Sequence, residues 1–209
     1  MRKLINQRQR SWLLRQFRQW HWISSAICLV GMFLFAITGL TLNHAAAISA
    51  DPQVTARSGT LPPSLIAALK ATPADAKAPA PDAVRAWIKA NMGVTLRDAG
   101  NEWSDDEIYA ALPRPGGDAF LTIDRSNGAV AYELTDRGWI SYLNDLHKGR
   151  NTGDVWFWFI DVFAVACLVF CITGLVLLQL MAEQRKSTWP VVSAGLVIPL
   201  LIAVLFIHM

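Results

Sequence analysis

The chain is poor in the residues that most enzymes use for chemistry, with four histidines and three cysteines among 209 residues. Cys28, Cys167 and Cys171 all lie inside long apolar runs, so the polar middle of the chain has no thiol and no disulfide framework. Cys167 and Cys171 are four residues apart on one helix face and read as small packing residues. The middle segment also lacks a Ser-His-Asp set, clustered metal ligands and a glycine-rich phosphate loop. These absences leave it a binding or supporting role rather than a catalytic one.

Charge is almost missing from three runs, Trp22 to Leu42, Val155 to Met181 and Pro190 to His208. Each approaches or exceeds the roughly 20 apolar residues needed to cross about 30 Å of hydrocarbon. Acid is missing from the first 21 residues, which carry Arg2, Lys3, Arg8, Arg10, Arg15 and Arg18. By the positive-inside rule this end stays cytoplasmic and Asn43 to Asp154 is exported. The exported stretch agrees in sign, with eleven Lys and Arg against fourteen Asp and Glu. The turn at Glu183 to Thr188, with Arg185 and Lys186, returns to the cytoplasm, and the third span leaves His208 outside. The net charge of +3 thus reflects anchoring rather than nucleic-acid binding. The first apolar run exceeds the roughly 7 to 15 residues of a signal-peptide core, so it is read as a retained span. Leu4, Ile5, Trp12, Leu13, Phe17 and Trp20 among the arginines suit either a helix on anionic lipid headgroups or an ordinary basic stop.

The exported region opens with an Ala/Pro-rich stretch, Ala50 to Asp82, read as a linker with one short helix near Ser64 to Ala71. A second helix follows Pro81, with Asp82 as N-cap, an apolar face of Val84, Trp87, Ile88 and Met92, and Gly93 as its stop. Val94 to Arg97, Glu107 to Leu112, Ala119 to Asp124 and Ala129 to Leu134 are β-prone, and Arg125-Ser126-Asn127-Gly128 marks a hairpin. A helix plus a small antiparallel sheet results, with Trp87, Trp103, Phe120 and Tyr132 expected to supply much of its burial.

The histidines stand at span ends. His21 and His44 are 23 residues apart, about 34 Å along one helix, and so mark opposite membrane faces. His147 precedes the second span on the outer side and His208 ends the third there. A low-spin haem needs two axial nitrogens on opposite faces of the ring, which facing helices can supply. His44 with His147 is the best pair, with His208 weighted below them because chain ends fray. Lys148 and Arg150 could neutralise haem propionates. His21 could pair with its copy in a second subunit, use another ligand, or bind nothing. Asp161, the only acid inside a span, is a functional candidate that could orient a ligating histidine, relay a proton or sit in local water. Trp156 to Phe159 read as an interfacial aromatic belt. Ile37-Thr38-Gly39-Leu40 recurs as Ile172-Thr173-Gly174-Leu175, where threonines can bond nearby backbone and glycines allow close approach of a backbone or a flat ring.

His21-Trp22 opening the first span, Ile37-Thr38-Gly39-Leu40-Thr41-Leu42-Asn43-His44 closing it, the helix-plus-sheet insert, Leu146-His147-Lys148-Gly149, and Ile172-Thr173-Gly174-Leu175 together resemble the PepSY-associated transmembrane-helix family. The resemblance implies a membrane α-helical fold of three transmembrane helices with a periplasmic α+β PepSY-like insert between the first and second. In numbers the segments are 1–21 (cytoplasmic), 22–44 (first span), 45–80 (linker), 81–147 (PepSY-like), 148–181 (second span), 182–189 (turn) and 190–209 (third span). Larger members include haem-bearing inner-membrane ferric-siderophore reductases, so the resemblance implies haem b, electron transfer to a periplasmic acceptor and a place in iron acquisition. This chain is short and has no flavin or nicotinamide domain, so electrons would come from quinol or a redox partner, and a homodimer or heteromer would complete a haem pair. The reading of the other class is a non-enzymatic adaptor whose PepSY-like unit binds a periplasmic protein or peptide.

Overall fold

A computed structural model describes residues 6–49, 51–72, 79–97 and 101–207. His208 lies outside the described residues. The chain divides into two compact units, Met1–Leu34 with Trp158–Met209, and Phe35–Phe157.

The first unit is helical. It holds most of α1 (Gln7–Asn43) and α5 (Asp154–Met181), together with α6 (Thr188–Ile202), which continues as a π-helical turn Ala203–Ile207. Three stretches, Gln7–Asn43, Asp154–Gln184 and Thr188–Ile207, are long and apolar enough to cross a membrane. Within this unit α1 and α5 run antiparallel. Arg10 Nη2 donates to the Leu180 carbonyl at 2.9 Å, one of the last, orphaned acceptors of α5. Further along, a Cβ on Gly31 would sit 2.3 Å from the Phe163 ring, so only glycine admits that ring. Ser24 and Cys28 are buried on the same stripe of α1, while Val30, Phe33, Val165 and Leu168 are exposed, as lipid-facing side chains would be.

The second unit is an antiparallel sheet covered on one face. Its strands are β1 (Gln53–Thr60), β2 (Asn101–Trp103), β3 (Glu107–Ala111), β4 (Gly117–Asp124) and β5 (Ala129–Asp136), in the order β1-β5-β4-β3-β2. Helices α2 (Pro63–Lys70), α3 (Asp82–Met92) and α4 (Gly138–Lys148) complete it. Period-two alternation puts Ile108, Ala110, Leu121, Ile123 and Val130 on one sheet face, against Val84, Ile88 and Met92 of α3 and Leu69 of α2. The core is therefore mainly aliphatic. Trp87, Trp103 and Tyr132 pack at its margin, whereas Phe120 stands on the opposite sheet face, stacked on Tyr109 at 5.9 Å.

Several local expectations are met and several are not. Gly93 ends α3 with φ +68°, but the N-cap of that helix is Pro81, and Asp82, one residue later, pairs with Arg85 instead. Val94 to Arg97 is not a strand, although Val94 and Leu96 are buried. The stretch read as linker contains β1, paired with β5 from Gln53↔Asp136 to Thr60↔Ala129. Seven of the eight β1 residues are exposed, so the strand is held by backbone pairing and leaves little hydropathy signal.

The Arg125–Gly128 turn forms as expected and is organised by one carboxylate. Asp124 accepts from the Ser126 hydroxyl at 2.6 Å, the Ser126 N–H at 2.7 Å, the Asn127 N–H at 3.2 Å and the Asn127 amide at 2.8 Å. The Ser126 hydroxyl, then the backbone N–H groups, hold its carboxyl below the usual carboxylate range. A depressed folded-state pKa contributes stability that is present above the unfolded value and lost as pH falls through the folded one. Amide exchange at Ser126 and Asn127 should thus be slower in the wild type than in Asp124→Ala near neutrality, and the two should converge in acid.

Gly117 carries a second expectation. A Cβ there would lie 2.2 Å from the Thr135 carbonyl oxygen, a backbone atom of the neighbouring strand. Gly117→Ala should destabilise the sheet by about 2 kcal/mol or more, read as a lowered thermal midpoint in detergent.

Candidate functional site

Residues 35, 38 and 39 of α1 are three and four apart and share one helix face, and so do residues 170, 173 and 174 of α5. Each face, Phe-x-x-Thr-Gly, holds one histidine, and each of the two assemblies lies within one compact unit.

In the sheet-bearing unit the histidine is His147, on the last turn of α4 just before Gly149, whose φ of +66° stops that helix. Its Nδ1 is 2.6 Å from the Thr38 hydroxyl, its ring centroid is 4.9 Å from that of Phe35, and its Cε1 would be 3.6 Å from a Cβ on Gly39. The Thr38 hydroxyl also reaches the Phe35 carbonyl at 3.1 Å. One turn earlier on α4, the buried Asn144 accepts from the Thr41 hydroxyl at 2.7 Å, and the Trp156 indole donates to the Leu146 carbonyl at 2.9 Å. These contacts hold the end of α4 in place.

In the helical unit the histidine is His21. Its Nδ1 is 3.0 Å from the Thr173 hydroxyl and 3.2 Å from the Phe170 carbonyl, and its ring stacks on Phe170 at 4.5 Å and 16°. A Cβ on Gly174 would be 3.3 Å from His21 Cε1, closer than ordinary contact. Thr173 is buried and its hydroxyl reaches the Val169 carbonyl at 2.7 Å.

His44 is different. It is exposed just past the end of α1, and its Nδ1 donates to the Leu40 carbonyl at 3.0 Å, one turn back. With 3.6 residues per turn, His44 falls nearly opposite, roughly 170° around α1, the face of residues 35, 38 and 39 that receives His147. No hydrogen bond or ring contact joins His44 to His147 among the described residues. A concavity of about 260 Å³ in the same unit is lined by Ala45, Ile48, Arg137 and Trp139 among others, and His44 is not part of its lining.

The remaining candidates are spread out. Lys148 and Arg150, either side of the Gly149 stop, are exposed and form no ion pair among the described residues. Asp161 is exposed on α5 and makes no hydrogen bond among the described residues. The Nδ1 atoms of the described histidines lie against threonine hydroxyls and backbone carbonyls. Among the described residues no group of three or more His, Cys, Asp or Glu could hold a metal ion.

The three described histidines fit axial ligation in one respect. Each engages Nδ1 with an oxygen atom, and none bonds through Nε2 among the described residues. Metal-bound histidines commonly have this arrangement, with the second ring nitrogen donating to a carbonyl or similar acceptor. The threonines are what the sequence reading missed: it gave them neighbouring backbone as partners, whereas the structure adds a histidine to each.

The family model "Putative PepSY_TM-like" matches residues 12–208. The chain belongs to the PepSY_TM-like family. Comparison with curated proteins and with solved structures gives no match. The family match spans both histidine frames and the sheet, so a PepSY_TM-like protein here means spans and insert together.

Proposed function

We propose that this PepSY_TM-like protein is a b-type haem electron-transfer protein of the bacterial inner membrane, with its N-terminus cytoplasmic and its sheet-bearing unit periplasmic. It passes electrons from quinol or a redox partner to a periplasmic acceptor such as a ferric siderophore. The observation that supports this reading is the common state of the three described histidines, each with Nδ1 engaged by an oxygen atom and with no bond through Nε2 among the described residues.

Bound haem supplies a one-electron store, cycling between ferric and ferrous iron. The protein's part is to hold it. His147 would hold the haem iron through Nε2 from the end of α4, and Lys148 and Arg150, within three residues, would meet its carboxylates. His44 of a second copy of the chain would be the other residue to hold it, which fits its exposure and its position on the far side of α1. In a two-fold dimer each copy would then give His147 to one haem and His44 to the other. His21 is the corresponding candidate on the cytoplasmic side.

Electron delivery is tested by reducing the purified protein anaerobically and mixing it with a ferric chelate. The haem spectrum should return to the oxidised form as ferrous iron accumulates in equal amount. A reduced spectrum unchanged by ferric chelates would remove iron reduction from the proposal.

A further inference from the structure

We infer that the Phe-x-x-Thr-Gly face is a histidine-setting frame, used twice in this chain, and that Thr38 is the residue that fixes His147 in the tautomer with the proton on Nδ1. The inference deepens the haem reading and rests on it for its purpose, since a neutral imidazole can coordinate through Nε2 only when the proton is on Nδ1.

A hydroxyl has one proton to give. A helical threonine ordinarily gives it to a backbone carbonyl one turn back. Thr173 lies 2.7 Å from the Val169 carbonyl and 3.0 Å from the Phe170 carbonyl, so its proton is committed there and its lone pairs face His21 Nδ1. The Phe170 carbonyl, at 3.2 Å from the same nitrogen, can only accept. Both partners of His21 Nδ1 therefore call for a proton on it. The second frame repeats the geometry with a single partner. Thr38 has a backbone acceptor at 3.1 Å, Phe35 O, and its hydroxyl is the only described hydrogen-bond partner of His147 Nδ1, at 2.6 Å.

The shared residues divide the work. Threonine sets the proton, phenylalanine covers one side of the ring, at 4.5 Å for His21 and 4.9 Å for His147, and glycine leaves room for Cε1. The frames differ in chain direction: in one the face is near the end of the first span and the histidine precedes the second, and in the other the histidine opens the first span and the face lies in the second. His21, which the sequence leaves without a partner, is thereby set like His147. Thr38 and Thr173 are positioning residues that act through the imidazoles.

The difference between the frames makes the inference testable. Full-length protein labelled with nitrogen-15 at histidine, without added haem and above the imidazole pKa, should show His21 and His147 as Nδ1–H tautomers. Thr38→Val should convert His147 to a mixture of tautomers, and Thr38→Ser should restore the wild-type signal. Thr173→Val should leave His21 protonated on Nδ1, because the Phe170 carbonyl remains. Loaded with haem, Thr38→Val should bind it about 10-fold to 100-fold more weakly. Wild-type His147 with its proton on Nε2, or a His147 signal unmoved by Thr38→Val, would overturn the inference. If the tautomers behave as expected but no haem binds, the frame stands and the haem reading fails. If haem binds through His147 without a tautomer change in Thr38→Val, the haem reading stands and the frame fails.

Discussion

Replacing His147 with alanine should abolish the haem absorption of the purified protein, and so should replacing His44. His147→Ala removes the one imidazole that the Thr38 frame holds at the end of α4. His44→Ala removes the exposed imidazole whose Nδ1 is engaged by the Leu40 carbonyl. If the two act across a dimer, co-expression of the single variants should rescue what each alone has lost. A mixed dimer has one site in which His147 comes from the His44→Ala copy and His44 from the His147→Ala copy, so about one site in two is restored. The double variant co-expressed with itself has none. Complementation read as the Soret absorbance of tandem-tagged mixed dimers separates ligation across copies from ligation within one, which would give no rescue. His21→Ala should spare this outer site.

The second large effect concerns folding. Arg125 is 6 % exposed and its guanidinium has no carboxylate beside it among the described residues. Its partners are carbonyls: Ser104 at 2.6 Å from Nη1, and Leu69 at 3.1 Å and Thr72 at 2.6 Å from Nη2. The Trp103 ring lies 5.4 Å from the guanidinium carbon, within reach of a cation–π contact. One side chain at the hairpin thus ties the C-terminal end of α2 to the loop after β2. A hydrogen bond from a charged donor contributes about 1.5–3 kcal/mol, and truncation also takes the guanidinium from the Ser104 and Thr72 carbonyls, while the Leu69 carbonyl keeps the Thr72 N–H. The contributions are not additive, and about 3–5 kcal/mol is expected for Arg125→Ala. That is much of the 5–15 kcal/mol margin of a typical domain. Arg125→Lys should recover only part of it, because one ammonium cannot span the same acceptors as a planar fork. Tryptophan fluorescence during thermal unfolding in detergent checks both variants. Loss comparable to a neutral surface substitution would show that the bridge contributes little.

The elements with strong periodicity were legible. Three apolar stretches, the α3 face of Val84, Ile88 and Met92, and the Asp124-centred hairpin all follow from local chemistry. β1 was not, because a strand held by pairing with β5 while exposing its side chains looks like a linker. Residue type alone points Phe120 to the core, yet strand alternation turns it to the other face. At the candidate site the repeated Ile-Thr-Gly-Leu and the span-end histidines were visible separately. Their connection was not, since His147 meets Thr38 across 109 residues and His21 meets Thr173 across 152. A search for each histidine's polar partner among the repeated residues would have suggested it. Arg125 was read only as a turn residue, because nothing local shows that three distant carbonyls converge on it.

The central claim, a haem held by histidine, is most directly tested by the absorption spectrum of the full-length protein purified in mild detergent from haem-replete cells. The account predicts a Soret band, with separate α and β bands on reduction, that disappears in His147→Ala. A well-folded wild-type protein without a Soret band, or a Soret band unchanged in His147→Ala, would contradict it.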